Sequence, residues 1–160
     1  MDIGSGKGYP ASKLSNFPPA PFVFRGVKVT SMEGLLQSWK SSDSAIQIHM
    51  CTLIGLQAKA AGRNKNWQKR QVLYWQGKEI GRHSAEYQAM LDEAYEAMFA
   101  QNESKRNALL ATGNAVLTHS IGRKKASETV LTRSEFCSRL MRIRARLQAQ
   151  LAQQAQLARR

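Results

Sequence analysis

Cysteine, acidic residues and long apolar runs are all scarce in this 160-residue sequence. The two cysteines, Cys51 and Cys137, lie far apart and outside any CxxC or Cys/His spacing, which argues against a disulfide framework and a zinc site. No apolar run approaches the ~18 residues of a membrane span, and residues 1–10 lack the apolar core of a secretory signal. We therefore expect a cytoplasmic protein with no membrane partner, no metal and no other cofactor.

The shortage of acidic residues leaves a large positive charge. Twenty-four lysines and arginines oppose 11 aspartates and glutamates, a net charge of +13. From Ile121 to the end of the chain, ten basic residues face two acidic ones. This balance favours a polyanionic partner such as nucleic acid. The alternative is a solvated helix face that only keeps the protein soluble.

Familiar catalytic motifs are also missing. The sequence contains no Ser-His-Asp ordering, no HExxH helix and no GxGxxG turn. His49, His83 and His119 lack a partner at i+4 that would form a pair of metal ligands, and each is more often a surface or packing residue. Among the histidines, His119 remains the candidate for a substrate contact.

Two pairs of short β-patterns surround tight turns. Phe22–Phe24 with Val27–Val29 predicts one hairpin, and Val72–Trp75 with Lys78–Ile80 indicates a second. The remainder of the chain is mostly helical in pattern. We predict an α+β fold, a mostly helical single domain with one or two short β-hairpins.

Caps and apolar periodicity predict the helices. Thr30 and Glu33 match a T-x-x-E capping box for a helix to about Lys40, and Asp43 can cap a helix to about Gly62. After Ser84 the spacing predicts a long buried helix, and a second capping box, at Thr132 and Glu135, opens an amphipathic helix.

The ends of the chain differ in composition from its centre. Residues 1–13 are rich in Gly, Ser and Lys and are expected to form a flexible arm. Residues 14–147 form the folded domain. Residues 148–160, a Gln- and Ala-rich segment, extend the last helix, fray, or dock on a second copy in a homo-oligomer.

Three sequence blocks resemble the NADAR family of N-glycosidases over roughly residues 13–146. The first is a Leu-Ser-Asn-Phe segment, Leu14 to Phe17. The second is a Ser-x-Glu-x-x-x-Gln-x-x-Lys helix, with Ser31, Glu33, Gln37 and Lys40 at the named positions. The third is a Leu-Leu-Ala-Thr-Gly segment, Leu109 to Gly113. The resemblance implies that residues 14–147 are a NADAR-like catalytic domain. It also implies that Glu33 and Lys40 are catalytic, with a Schiff-base route through the lysine.

Helical spacing is compatible with that assignment. Glu33, Gln37 and Lys40 stand at i, i+4 and i+7, so one helix face carries a carboxylate and an amine. Cleavage of a glycosidic bond needs charge stabilisation and a proton source, which these groups supply. The alternative is structural, with Glu33 in a capping box and Lys40 as a solvated helix end.

The sequence also departs from the family pattern. The Asp-x-x-Trp-Gly block that many members carry near the end is absent here. We assign its polar role to Glu128 and Thr129. The identity of the third catalytic residue is left open by this absence. The Tyr74–Lys78 and Thr118–Gly122 blocks look like a branch met in bacteriophages and bacterial genomes.

Two substrates follow from the resemblance: ADP-ribose attached to guanine, including guanine in DNA, and phosphorylated intermediates of riboflavin synthesis. The excess of basic residues favours ADP-ribosylated DNA, whose repair would counter a DNA-modifying toxin as an antitoxin or phage anti-defence activity. A non-catalytic module that binds ADP-ribose or nucleic acid is the alternative of another class.

The predicted contacts fall into two sets. Substrate-binding candidates are Asn16, Phe17, Gln37, Trp39, Arg63, Arg82, His119, Glu128 and Thr129, with Trp67 and Trp75 as further stacking candidates. Nucleic-acid-binding candidates are Lys124, Lys125, Arg139, Arg142 and Arg146.

Overall fold

Seven α-helices and two β-hairpins make up the computed structural model, which describes residues 1–160. The elements, in chain order, are β1 Phe22–Phe24, β2 Val27–Val29, α1 Met32–Ser38, α2 Ser44–Met50, α3 Gly55–Ala61, α4 Trp67–Arg70, β3 Val72–Trp75, β4 Lys78–Gly81, α5 Ala85–Gln101, α6 Glu103–Ala111 and α7 Arg133–Ala158. The predicted α+β class with two short hairpins is confirmed.

Both hairpins turn on a residue pair with positive φ. Arg25 and Gly26 have φ of 48° and 80°, and Gln76 and Gly77 have φ of 44° and 86°. Two successive residues with positive φ match the type I′ turn, whose twist suits two-residue hairpins. Each hairpin forms its own antiparallel two-stranded sheet, and the two sheets are separate.

The helix predicted from Asp43 to Gly62 is in fact two helices. Asp43 caps α2 through hydrogen bonds from Ala45 N and Ile46 N, but α2 ends at Met50. Gly55 then adopts φ of +52°, which a right-handed helix cannot accommodate. The resulting break between α2 and α3 lets this segment pack against α1, and it places α3 opposite the helix that carries Glu33.

Helix α5 supplies the centre of the core. Its apolar stripe, including Tyr87, Leu91 and Tyr95, is fully buried, as the spacing predicts. The indole of Trp39 meets the ring of Tyr87 edge-on, with centroids 5.7 Å apart. Burial of each large side chain contributes about 1.5–3 kcal/mol, so α5 anchors both hairpins and α7 around one core.

The segment expected to be a flexible arm, residues 1–13, is packed against the domain. Ile3 is fully buried. Its backbone N–H donates to Thr118 O at 2.8 Å, and Asp2 forms a parallel bridge with Thr118. The carboxylate of Asp2 also accepts hydrogen bonds from the backbone N–H and hydroxyl of Ser120, and these bonds hold the pKa of Asp2 well below its usual value. A buried apolar side chain and paired backbone groups explain the departure from the prediction.

The last helix continues through the Gln- and Ala-rich segment. Helix α7 opens on the predicted Thr132–Glu135 capping box and ends at Ala158, with every side chain from Ala149 onward exposed. Docking of this extension on a second copy stays a prediction. None of the helices combines the length and apolar character that crossing a membrane would need.

Candidate active site

The cap of α1 leaves the Glu33 side chain free. Ser31 is the N-cap residue, and its hydroxyl accepts from Gly34 N at 3.1 Å and donates to Leu53 O at 2.8 Å. The predicted capping box at Thr30 and Glu33 is therefore wrong, because the cap lies one residue further along. Without that capping role, the carboxylate is directed into a cavity.

Glu33 lines a cavity of about 220 Å³. Gln37 Nε2 donates to Glu33 Oε1 at 2.9 Å, and the backbone N–H of Glu33 donates to Asn16 O at 3.0 Å. The side chain of Asn16 is held in turn by the buried hydroxyl of Tyr95, which donates to Asn16 Oδ1 at 3.0 Å. The cavity wall includes Asn16, Phe17, Glu33, Gln37, Lys59, His119 and Thr129.

Burial makes Glu33 a weaker acid than usual. Desolvation raises the pKa of its carboxyl, against the hydrogen bond from Gln37 and the charges of Lys40, Lys59 and His119, which lower it. A raised pKa widens the pH range over which a carboxyl holds a proton that it can donate. The environment of Glu33 therefore suits a general acid.

Lys40 lies just beyond the end of α1, which stops at Ser38 instead of the predicted Lys40. Its Nζ donates to Gly62 O at 2.8 Å, and Gly62 itself packs so tightly that a Cβ there would lie 1.9 Å from Gln37 Oε1. Burial lowers the pKa of Lys40 to about 8, with Glu33 raising it and Lys65 and Lys59 lowering it further. An amine with this pKa has a nucleophilic neutral fraction near neutral pH.

Lys40 opens into a different cavity from Glu33. This second cavity, of about 600 Å³, shares Gln37, Lys59 and Thr129 with the Glu33 cavity. The two spaces therefore form one cleft, in which Gln37 lies between the carboxylate and the amine.

Basic side chains dominate the second cavity. Lys40, Lys59, Arg63, Lys65 and Arg123 line it, and Glu128 is its single acidic residue. Glu128 lies 3.6 Å from Arg123, which leaves the other cations without an ionic partner. Such a cluster suits a phosphate or diphosphate group.

His119 borders the Glu33 cavity with a fixed ring orientation. Its Nδ1 lies 2.8 Å from Ile3 O, and its ring meets Phe136 edge-on at 5.1 Å. A carbonyl oxygen only accepts, so Nδ1 of His119 is the donor in this hydrogen bond. The packed N-terminal segment thus positions a predicted substrate contact.

Several predicted substrate contacts are buried elsewhere. Trp39 is fully buried in the aromatic core, which excludes stacking on a base, and Trp75 is buried as well. Trp67 is 4% exposed but lines the second cavity. Arg82 is 1% exposed and pairs with Glu135 at 2.6 Å, while its Nε donates to Thr129 O. Arg82 therefore cannot grip a diphosphate and instead fixes the backbone behind the cleft.

Three arginines of α7 pair with two carboxylates of α5. Arg139 is 5% exposed and pairs with Asp92, so its assignment to nucleic acid is corrected. Arg142 also pairs with Asp92, and Arg146 pairs with Glu96, each at 2.7 Å. The charge of these three arginines is therefore offset in part, because α5 presents Asp92 and Glu96 along the face of α7. Lys124 and Lys125 form no ion pair.

Lys59 and Lys65 line the cleft although sequence reasoning did not select them. Lys59 and Arg63 stand at i and i+4, a spacing that places two cations on one side of α3 and its end. That spacing was the available signal, but nothing local showed that α3 faces α1.

The chain is similar to one protein family, to one phage protein and to one solved structure. Residues 8–145 match the family model described as bacteriophage protein GP30.3. An uncharacterized 17.1 kDa protein from the Gp30–rIII intergenic region of Enterobacteria phage T4 is 36% identical over 138 residues, which cover 85% of this chain and 91% of that protein. The NMR structure of YbiA from E. coli, a NADAR-family protein, superposes with a TM-score of 0.63 at 20% identity, over 95% of this chain and 86% of YbiA. The fold is thus NADAR-like, and the chain belongs to the bacteriophage GP30.3 family.

Proposed function

We propose that this protein is an N-glycosidase that removes ADP-ribose from guanine bases of DNA. In a phage, such an enzyme would reverse toxin-catalysed DNA modification and act against a host defence. The observation that carries the proposal is the cleft in which Gln37 separates a half-buried carboxylate, Glu33, from a half-buried amine, Lys40. One side of this cleft adjoins an array of unpaired cations.

The two cavities divide the proposed substrate by chemistry. The modified guanine occupies the Glu33 cavity, where Asn16 and Phe17 offer an amide and an aromatic ring. The diphosphate lies among the cations of the larger cavity, near Lys59, Arg63 and Lys65. The anomeric carbon C1 of the ribose then lies beside Gln37, between the two proposed catalytic groups.

The proposed reaction consumes one water molecule. Glu33 donates its proton to O4′ as the C1–O4′ bond breaks, which leaves a double bond between C1 and the guanine nitrogen. The neutral amine of Lys40 then adds to C1, Glu33 carries a proton from the new ammonium to the guanine nitrogen, and guanine leaves with the electrons of the C–N bond. Water then adds to the resulting imine and supplies the oxygen at C1. Departure of the Lys40 amine gives free ADP-ribose and regenerates the enzyme.

The electrostatics of the cleft favour ADP-ribose over a substrate with one phosphate. A riboflavin intermediate with a single phosphate requires two or three basic contacts, whereas four cations line the larger cavity beside the nucleophile Lys40, namely Lys59, Arg63, Lys65 and Arg123. A diphosphate uses more of this charge. Lys124 and Lys125, which form no ion pair, follow the cleft residue Arg123 along the chain and are the proposed contacts for the DNA backbone.

A turnover assay tests the proposal. Purified protein is mixed with an ADP-ribosylated guanine oligonucleotide or with a phosphorylated riboflavin intermediate, and release of the base is measured by chromatography. We expect ADP-ribose release from the oligonucleotide. Tight binding of the oligonucleotide without any release would show a binding module instead, and exclusive cleavage of the riboflavin intermediate would replace the proposed substrate.

A further inference from the structure

A third cavity, of about 370 Å³, joins the cation-lined cavity without reaching Glu33. The two spaces share Lys40, Gly62 and Trp67 as a common wall. Three cavities therefore follow one another along the cleft. The Glu33 cavity comes first, the cation-lined cavity lies in the middle, and this third cavity is at the other end.

The third cavity combines an apolar wall with an amide edge. Ile46 is half exposed there, and it lines the cavity together with the rings of Tyr74 and Trp67. The amides come from Asn64 and Asn66. An exposed isoleucine beside aromatic rings offers the flat faces of a planar ligand an apolar contact.

The asparagine amides retain free hydrogen-bonding capacity. Asn64 Oδ1 accepts from Asn66 N at 2.8 Å, so its Nδ2 is left without a protein partner. Asn66 precedes α4 but makes no side-chain capping bond, and its amide has no other protein partner. A carboxamide presents a donor and an acceptor side by side, the pattern that pairs with the edge of an adenine base.

We infer that this third cavity binds a nucleobase, and that the base is the adenine at the far end of ADP-ribose. The inference rests on the proposed function for the direction in which the substrate lies. The order of carboxylate, cations and apolar–amide cavity matches the order of ribose C1, diphosphate and adenosine. A substrate that ends at a single phosphate leaves this cavity empty, so the cavity specifies a dinucleotide-like substrate.

Binding of free ADP-ribose, measured by calorimetry, tests the site without requiring turnover. Asn66→Ala is expected to weaken ADP-ribose binding about fivefold to tenfold, the loss of one hydrogen bond, with ribose 5-phosphate binding unchanged. Ile46→Ala should act in the same direction. The matched control is Asn107→Ala on α6, an exposed asparagine outside these cavities. Unchanged ADP-ribose affinity in both cavity variants would overturn the inference, as would an absence of ADP-ribose binding by the unaltered protein.

A nucleobase from the DNA strand is the other source of the same chemistry. If Asn66→Ala weakens an unmodified guanine oligonucleotide but leaves ADP-ribose binding intact, the assignment to adenine is overturned. In the turnover assay, Asn66→Ala should raise KM for the ADP-ribosylated oligonucleotide without changing kcat. A protein that binds ADP-ribose in this cavity yet releases none from DNA would refute the glycosidase proposal and keep the binding site.

Discussion

Gln37 donates a hydrogen bond from Nε2 to Oε1 of Glu33, while its own Oε1 is buried and has no partner. The bond favours the charged carboxylate and lowers the pKa of Glu33, opposite to the larger effect of burial. Gln37 therefore sets how readily Glu33 holds a proton, from within the same helix face.

Replacement of Gln37 by methionine should move the pH dependence of activity. Without the amide donor, the pKa of Glu33 rises further above its usual value. Because the proposed reaction needs Glu33 protonated and Lys40 neutral together, a higher pKa of Glu33 leaves more enzyme in this state at alkaline pH, so the falling limb should shift to higher pH. The measurement is kcat/KM against pH, with Gln150→Met on the exposed end of α7 as control. A limb that stays in place or moves to lower pH would contradict the acid role.

Lys40→Ala should abolish turnover with a modest change in stability. The variant loses the hydrogen bond to Gly62 O, which costs about 0.5–1.5 kcal/mol of unfolding free energy. Lys40→Arg should also be inactive, since a guanidinium stays protonated and cannot form the imine. Reduction with borohydride during turnover should link the sugar covalently to the unaltered protein.

Lys59→Ala provides the matched control for Lys40. Lys59 lines both cavities but takes no covalent part in the proposed reaction, so its variant should still form the borohydride adduct, with a higher KM. If Lys40→Ala instead lowered the unfolding free energy by about 3 kcal/mol or more, a packing role would account for the residue better than catalysis.

Arg82→Met should destabilise the fold. The guanidinium is buried against Glu135 and also donates to Thr129 O, so its removal leaves the Glu135 carboxylate without its counter-ion and the Thr129 carbonyl without a donor. Removal of one partner from a buried pair costs about 3–5 kcal/mol. Chemical denaturation would measure this loss, and KM for the folded fraction should stay close to that of the unaltered protein. A stable variant with a sharply raised KM would instead indicate that Arg82 contacts the substrate.

Local signals in the sequence were sufficient for most of the fold. The hairpin from Phe22 to Val29, the α5 stripe and the Thr132–Glu135 cap depend on neighbours within a few residues, and the structure confirms each. The cap of α1 shows the limit of such signals. Thr30 and Ser31 are both good caps by type, and the contact of Ser31 with Leu53 O, 22 residues away, distinguishes them.

The buried arginines could not be identified from the sequence. Arginine is usually exposed, and the sequence does not show that Arg82 pairs with Glu135, 53 residues away, or that Arg139 donates to Gln88, 51 residues away. For the same reason, the sequence does not reveal that Asp92 and Glu96 of α5 pair with Arg142 and Arg146. The sequence therefore located the charge excess correctly but could not separate free cations from paired ones.

The free and paired cations should respond differently to salt. Lys125 forms no ion pair, whereas the charge of Arg146 is offset by Glu96 at 2.7 Å. If Lys125 contacts a DNA phosphate, Lys125→Gln should reduce the slope of log affinity against log salt by about 1. Arg146→Gln should leave the slope nearly unchanged. Titration of a fluorescent oligonucleotide at several salt concentrations measures both, and equal slopes for the two variants would argue against this division.

Lys105 gives a prediction for stability. Its side chain is buried, and Nζ donates to Lys13 O at 2.6 Å and to Ser15 O at 2.8 Å, just before the cleft residue Asn16. Burial lowers the pKa of Lys105 from its usual 10.5 to about 7, and the charge of Lys13 acts in the same direction. Between these two values the unfolded chain binds more protons than the folded one, so the free energy of unfolding rises with pH.

The slope should disappear when Lys105 is replaced by methionine. Each pH unit in the window from about 7 to 10.5 contributes at most about 1.4 kcal/mol, and chemical denaturation at pH 7, 8 and 9 would measure the difference between the two proteins. Lys40 titrates in the same range but is present in both, so its contribution cancels. Lys28→Met, at an exposed lysine on β2, should keep the slope of the unaltered protein. An identical pH slope in Lys105→Met would show that this lysine stays protonated in the fold, held by its two carbonyl acceptors.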